Sequence, residues 1–411
     1  MRTHQNLTAA ATLAAAVVTM GTLGVGAAYA QETTPTAPPL ATPASPQPQP
    51  AAPAPAPNYN IQTAGLIDGY YEYQFNNPKN GLIAGRPYDF RHNTPTLTLG
   101  ELNVFKVAKP GGLGFKATLG AGDTADVNGG GNPLYEGRYK AFLQGYGTWL
   151  FGASGAGIDF GKFYTPFGYE VTESNANFNY THSKAFDLVP FYHTGVRFYS
   201  PNMNGFVGTV YIVRALYNTA TAGVADDNNN LAYIGSLNYT DPKGKFVFIE
   251  SLGGGKDKFN LASGDTSTQV SALGDVENKN FVSDTDFTYN LDASHIVALN
   301  YTYAKTDPDS NAFGVAKATG QGWAAYYKQV LTPKTAFAVR YSGNEVKVDG
   351  VSPKTKPWEA TATYEIKPAT NFTTRFEYRH DGSNVPSFGD SDGNLTKKSQ
   401  DTVLVAGMFT F

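Results

Sequence analysis

From residue 58 to the C-terminus, apolar and polar positions repeat with a period of two. Trp358, Ala360, Ala362, Tyr364 and Ile366 alternate with Glu359, Thr361, Thr363, Glu365 and Lys367. Phe372, Thr374, Phe376 and Tyr378 alternate with Thr373, Arg375, Glu377 and Arg379, and Phe337, Val339 and Tyr341 with Ala336, Ala338 and Arg340. A period of two places alternate side chains on opposite faces of a strand. One face here is aromatic and aliphatic, the other small, polar or charged. The segmentation predicts strands over 66–75, 95–108, 111–121, 138–150, 156–164, 192–200, 205–217 and 230–240. Eight more follow at 244–254, 280–290, 294–305, 321–331, 335–347, 356–367, 371–381 and 401–411. Segments 95–108 and 205–217 alternate least cleanly, which points to bulges or shifted ends there.

Two packed sheets would alternate in the same way, so the connections have to decide. Short polar turns at 109–112, 152–155, 201–205, 241–244, 290–294, 332–334 and 367–370 take turns with long stretches. The long ones are 76–94, 122–138, 165–191, 217–230, 255–280, 306–320, 347–355 and 382–400. Tight turns on one rim and longer loops on the other are the signature of a transmembrane β-barrel. The predicted fold is all-β: a closed antiparallel barrel of about sixteen strands. In hydrocarbon every backbone group must be paired, so the last strand has to close onto the first. That last strand, "DTVLVAGMFTF", stops on Phe411. A terminal aromatic suits the interfacial girdle at the short-turn rim. It is also similar to the signal that barrel-assembly machinery reads in bacterial barrels.

The N-terminal part is different material. Arg2 and His4 precede an apolar run from Leu7 to Ala28, closed by Ala28-Tyr29-Ala30, which reads as a cleaved secretory signal over residues 1–30. Ten of the 27 residues from 31 to 57 are proline, a composition expected of an extended tether that builds no core. The domain plan is therefore signal 1–30, disordered tether 31–57 in the periplasm and barrel 58–411. The chain has no cysteine and a formal charge of −3, one unit more negative once Arg2 leaves with the leader. No disulfide supports the fold, and the balance offers no basic field for nucleic acid.

A barrel of this size encloses water. Arg340, Glu359, Glu365, Lys367, Arg375, Glu377 and Arg379 all lie on the face opposite the aromatic residues. Each Arg or Lys placed in lipid near the midplane would cost roughly 2–4 kcal/mol, so these seven are expected to line the bore. Residues 165–191 form the longest polar-aromatic connection, broken at its start by Pro166-Phe167-Gly168 and at its end by Pro190. Loops of this length are commonly functional, and its Phe and Tyr content favours a fold into the pore. The constriction candidates are Glu170, Glu173, Lys184 and Asp187, with His193 and Arg197 just beyond the loop.

The blocks "GKFYTPFGYE", "NYTHSKAF" and "PFYHTGVR", with "LIDGYYEYQFN" at the first strand, resemble the OmpL-like β-barrel porin family of Gram-negative bacteria over residues 60–411. The resemblance implies an outer-membrane channel for small hydrophilic solutes. It marks Gly161, Pro166, Gly168, Glu170, His193, Gly195 and Arg197 as family-like positions and names no ligand.

An enzyme carried on a barrel is the first competing class. The histidines at 4, 92, 182, 193, 295 and 380 form no nucleophile–base arrangement with a serine. Gly152-Ala153-Ser154-Gly155-Ala156 misses the nucleophile-elbow pattern at its last position. The spacing of His182 and His193 matches no helical metal motif. A barrel-anchored adhesin or cell-wall tether is the second, kept open by the proline segment. The expectation is a porin with no catalytic residue, metal or cofactor. Its partners are small polar solutes or ions, outer-membrane lipid and lipopolysaccharide, barrel-assembly machinery and further copies of the chain.

Overall fold

The computed structural model describes residues 60–129, 141–217, 230–260, 275–308 and 316–411. The expected signal and tether lie outside the described residues. The strands in chain order are β1 (Gln62–Gln74), β2 (Thr96–Lys106), β3 (Leu113–Ala121), β4 (Phe142–Leu150), β5 (Gly157–Tyr164) and β6 (Tyr192–Tyr199). Next come β7 (Phe206–Val213), β8 (Ala232–Thr240), β9 (Phe246–Asn260), β10 (Asp275–Asn290), β11 (His295–Pro308) and β12 (Ala318–Thr332). The last are β13 (Thr335–Val348), β14 (Trp358–Ala369), β15 (Phe372–Gly382), β16 (Phe388–Gly389), β17 (Leu395–Lys397) and β18 (Ser399–Thr410). Among the described residues one α-helix, α1 (Asp123–Gly129), follows β3.

Sixteen of these strands close into an antiparallel barrel in chain order, β18 zipping onto β1 from Leu66↔Thr410 to Gln74↔Thr402. β16 and β17 form a small hairpin in the loop that leads into β18. The irregular pattern in β2 has its cause in a register shift at Asp68/Gly69, opposite Leu97 and Leu99. The bulge lets Leu97 point outward and Leu99 inward, where it is buried.

The outer wall is apolar, as lipid requires. Around the short-turn rim the rings of Phe206, Tyr239, Phe246 and Phe287 follow one another at centroid distances of 4.3, 5.3 and 6.0 Å. Near the long-loop end Trp323, Tyr341, Trp358 and His380 form a second chain. Two aromatic girdles bounding an apolar band mark the interfaces of a membrane. Phe411 is exposed on the lower girdle, and Gly65 on β1 lies under it: a Cβ there would come within 2.1 Å of the Phe411 ring.

The C-terminal strand is apolar on both faces for two separate reasons. Val403, Val405 and Phe409 are exposed outward, whereas Leu404, Ala406 and Met408 pack inward with Leu66, Tyr70, Leu99, Leu143 and Tyr180. Tyr180 belongs to the long loop, so part of the barrel interior is filled by the chain itself.

Candidate functional site

Loop 165–191, here L3, enters the barrel between β5 and β6 and crosses to the far wall. Among the inward-facing positions of β13, β14 and β15, Arg340, Glu359, Glu365, Arg375, Glu377 and Arg379 are at most 5 % exposed. They do face inward. What covers them is L3.

Arg375 grips the tip. Its Nη1 donates to the carbonyls of Ser174 (2.6 Å) and Asn179 (3.0 Å), and its Nη2 to that of Asn177 (2.7 Å). Glu365 holds the same guanidinium from the wall at 2.8 Å. Glu377 accepts the backbone N–H groups of Tyr180 (2.7 Å) and Thr181 (3.0 Å). Arg340 donates to Glu359 and Glu170, both at 2.8 Å, to Thr181 Oγ1 at 3.0 Å and to the carbonyls of Thr181 and His182. Arg379 adds donors to the His182 carbonyl (2.5 Å) and Thr181 Oγ1 (3.1 Å), and Asp381 holds it from the wall at 2.8 Å. Buried charges of this kind persist only when paired and hydrogen-bonded on all sides.

The remaining walls receive the loop by shape. On β12, Gly320 and Gly322 face inward beneath the 3₁₀ turn Phe186–Leu188. A Cβ at Gly320 would meet Leu188 at 2.9 Å, and one at Gly322 the Ala185 Cα at 2.9 Å. On β10, Asp284 accepts the Gly168 N–H at 2.8 Å, with Asn300 at 3.0 Å and Thr302 behind it. Tyr180 reaches β1, donating to Asp68 at 2.8 Å. The feet of the loop sit in an apolar cluster, Phe167 and Val189 among Phe163, Tyr211, Val213, Leu216 and Ile234.

Two further loops fold in above L3. Arg86 of the β1–β2 connection pairs with Asp381 at 3.0 Å, and Lys184 of L3 donates to the Gly85 carbonyl at 2.8 Å and pairs with Asp381 at 3.3 Å. Tyr88 donates to Asn128 of α1 at 2.8 Å, and Asn128 to Thr172 of L3 at 3.3 Å. The sequence pattern singled out neither this clamp nor the glycine pair. Alternate inward glycines in "TGQGW" of β12 were the available signal, since a missing side chain on an inward face makes room for something else.

The expected site residues separate by position. Glu170 and Lys184 are buried fasteners. Glu173 and Asp187 keep access to solvent, Asp187 being exposed and Glu173 half-buried. His193 and Arg197 stand on β6 rather than on the loop. His193 is fully buried between Thr165 Oγ1 (3.0 Å) and the Ala215 carbonyl (3.3 Å). Arg197 faces the lower bore, paired with Asp159 at 2.7 Å and lying over the Phe163 ring at 4.8 Å. Lys367 lies near the end of β14 at the short-turn rim, exposed and 3.4 Å from Glu365.

Glu173 stands beside Glu101 on β2, with Lys116 near Glu101. Its neighbours Asn175 and Ala176 are exposed, and across the bore Asn103, Lys116, Tyr146 and Thr148 are half-buried on β2–β4. Inside the barrel, solvent reaches L3 here and at Asp187, whose charged neighbours are Lys184, Arg379 and Asp381, whereas the guanidinium groups that grip the tip from β13 and β15 are buried.

Burial holds the His182 imidazole of L3 below its ordinary value, partly offset by the Glu170 carboxylate and the Val171 carbonyl. Its Nε2 donates to that carbonyl at 2.8 Å, and its Nδ1 has no partner among the described residues.

No curated protein matches the sequence. Solved structures do, at low identity. OmpT of Vibrio cholerae in its trimer form aligns at TM-score 0.56 and 11 % identity, over 85 % of this chain and 99 % of that one. The anion-selective porin of Comamonas acidovorans aligns at 0.55 and 11 %, over 85 % and 99 %. The outer-membrane channel DcaP of Acinetobacter baumannii aligns at 0.56 and 10 %, over 85 % and 97 %. These likenesses show the fold. The family described as "Putative beta-barrel porin-2, OmpL-like" matches residues 60–411. With that match across the whole barrel, the chain belongs to the OmpL-like β-barrel porins and is a porin-like outer-membrane channel.

Proposed function

We propose that the protein passes ions and small hydrophilic solutes passively and with weak selectivity. The path runs along the flank of L3 that carries Glu173, Asn175 and Ala176, past Asn103, Lys116 and Tyr146 of β2–β4, with Glu101 buried beside Glu173 at its edge. The observation that carries this reading is where the tip is gripped. Arg340, Arg375 and Arg379 hold it against β13–β15, and Glu173 and Asn175 keep access to solvent on the flank facing β2–β4. The six buried wall charges then act as the mounting of the constriction, Lys367 stands apart at the short-turn rim, and Glu173 and Lys116 are the charges a solute meets along this flank.

Residues 1–30 direct export and 31–57 remain as a periplasmic tether in this reading, and Phe411 serves assembly. Homo-oligomers fit it too, since one structural relative is a trimer form. A planar-bilayer measurement tests it. Deleting 174–187 widens the bore and raises single-channel conductance severalfold; unchanged conductance would remove L3 from the path. Glu173→Gln shifts the reversal potential in a salt gradient toward anions by a few millivolts, the size expected of one screened charge. No shift would place the path elsewhere.

A further inference from the structure

At the edge of the free flank, two carboxylates meet with no donor between them. Glu101 faces inward from β2 and is 9 % exposed. Its Oε1 accepts from Asn103 Nδ2, and a relay behind sets that geometry. Thr118 Oγ1 donates to Asn103 Oδ1 at 2.7 Å, and Gln144 Nε2 to Thr118 Oγ1 at 3.5 Å. Gln144 Oε1 in turn accepts the Tyr164 N–H at 3.2 Å. The other oxygen, Glu101 Oε2, has no hydrogen-bond partner among the described residues, and neither has Tyr164 Oη in the same corner. Strands β2 to β5 thus fix one carboxylate and leave one of its oxygens unanswered, which is costly for a buried charged acceptor.

Glu173 comes to this oxygen from L3 and keeps access to solvent. Its backbone is set by its neighbours: its carbonyl accepts the Ala176 N–H at 3.0 Å, and the next carbonyl, of Ser174, accepts from Arg375. Two ionised carboxylates side by side repel, and neither has a proton to offer the other. Lys116 lies near Glu101 but forms no ion pair with it.

Elsewhere under L3 the acids are answered. Glu170 and Glu359 pair with Arg340, Glu365 with Arg375 and Asp381 with Arg379. Asp284 and Asp286, which also stand side by side, share the Asn300 amide at 3.0 and 2.8 Å.

We propose that Glu101 and Glu173 bind a divalent cation of the calcium or magnesium class. Glu101 Oε2 and the Glu173 carboxylate are its protein ligands, water fills the remaining positions, and the Tyr164 hydroxyl hydrogen-bonds to one such water. Ions of this class take oxygen ligands and keep their water where the protein supplies few. The donor set holds no imidazole or thiolate of the kind that selects zinc or copper. One doubly charged ion cancels both carboxylates at once, which a single monovalent ion does not. Bound there, it ties L3 to β2. A resulting fall in conductance rests on the proposed path along this flank; binding of the ion does not.

The test titrates calcium chloride at constant ionic strength into the full-length protein in detergent, followed by isothermal titration calorimetry. Glu101→Gln and Glu173→Gln are compared with the parent and with Glu345→Gln, a surface control whose carboxylate pairs with Lys354 and Lys356. Binding with a Kd of about 10⁻⁴–10⁻³ M is expected, as in extracellular calcium modules, with a loss of about tenfold or more in either site variant and none in the control. Equal calcium binding in parent and site variants overturns the proposal. So do site variants that keep calcium binding but abolish an acid-induced change in conductance, since the two carboxylates then share a proton instead. Planar bilayers report the path separately: replacing sodium by calcium is expected to lower the parent conductance severalfold and that of the site variants less. Calcium binding lost in both site variants with no response in conductance upholds the site and moves the path elsewhere.

Discussion

L3 is held in two unlike ways. Its feet, Phe167 and Val189, sit among aromatic and aliphatic side chains of β5, β7 and β8, with only neutral and single-carboxylate hydrogen bonds beside them, at Thr165 and Gly168. Its tip, 174–184, is held by three guanidinium groups and one carboxylate, almost entirely through backbone atoms of the loop. The difference follows from connectivity. The feet are covalently continuous with β5 and β6, so burial and a few hydrogen bonds keep them in place. The tip has lost that constraint, and non-directional packing would let it slide. Fixing it takes hydrogen bonds of defined geometry, and carbonyl–guanidinium pairs supply them whatever the loop side chains are.

Removing a fastener at the tip should change conductance most. Arg340→Ala strips Glu359 and Glu170 of their buried partner, a loss of about 3–5 kcal/mol. It is expected to release the tip, raise conductance and open 174–187 to protease. An unchanged trace would break the contrast between tip and feet. Gly322→Val comes next. Its Cβ collides with the Ala185 backbone, costing about 1–3 kcal/mol, so the 3₁₀ turn shifts and conductance rises by less than in Arg340→Ala.

Acidity gives a smaller effect. His182 is harder to protonate in the docked loop than in a released one. Docking is therefore at full strength above the free imidazole value of about 6.5 and weakens as the pH falls below it. Conductance at pH 5 should exceed that at pH 7.5, and His182→Phe should flatten the difference. The smallest change in conductance is expected from the feet. Phe167→Ala costs about 3–5 kcal/mol of stability, read as a lower melting temperature, yet leaves the open-channel current near that of the parent.

Much of the barrel was legible because lipid on one side and polar groups on the other sort side chains with period two. Segment 335–347 corresponds to β13, and 356–367 to β14 within two residues at each end. The sorting fades above the membrane, where both faces see water. The expected 244–254 stops short of β9, which continues through Gly253-Gly254-Gly255-Lys256, and 280–290 omits the first five residues of β10. The inward direction of Arg340, Arg375 and Arg379 was legible for the same reason. Their partners were not: Thr181, Ser174 and Asn177 lie about 160–200 residues away in sequence, and periodicity carries no information across such a distance. The infolding of Arg86 and Tyr88 was hidden in the same way, by a loop whose polar composition suits solvent as well as a buried ionic cluster.

Those long separations tie the calibre of the channel to the integrity of its C-terminal wall. The residues that grip the tip stand on β13 to β15, next to β18, which closes the barrel against β1. The first twelve strands hold the feet of L3 and part of its body, but the guanidinium groups that fasten its tip come from the last few. A fully narrowed bore and a closed wall therefore depend on the same short stretch of chain.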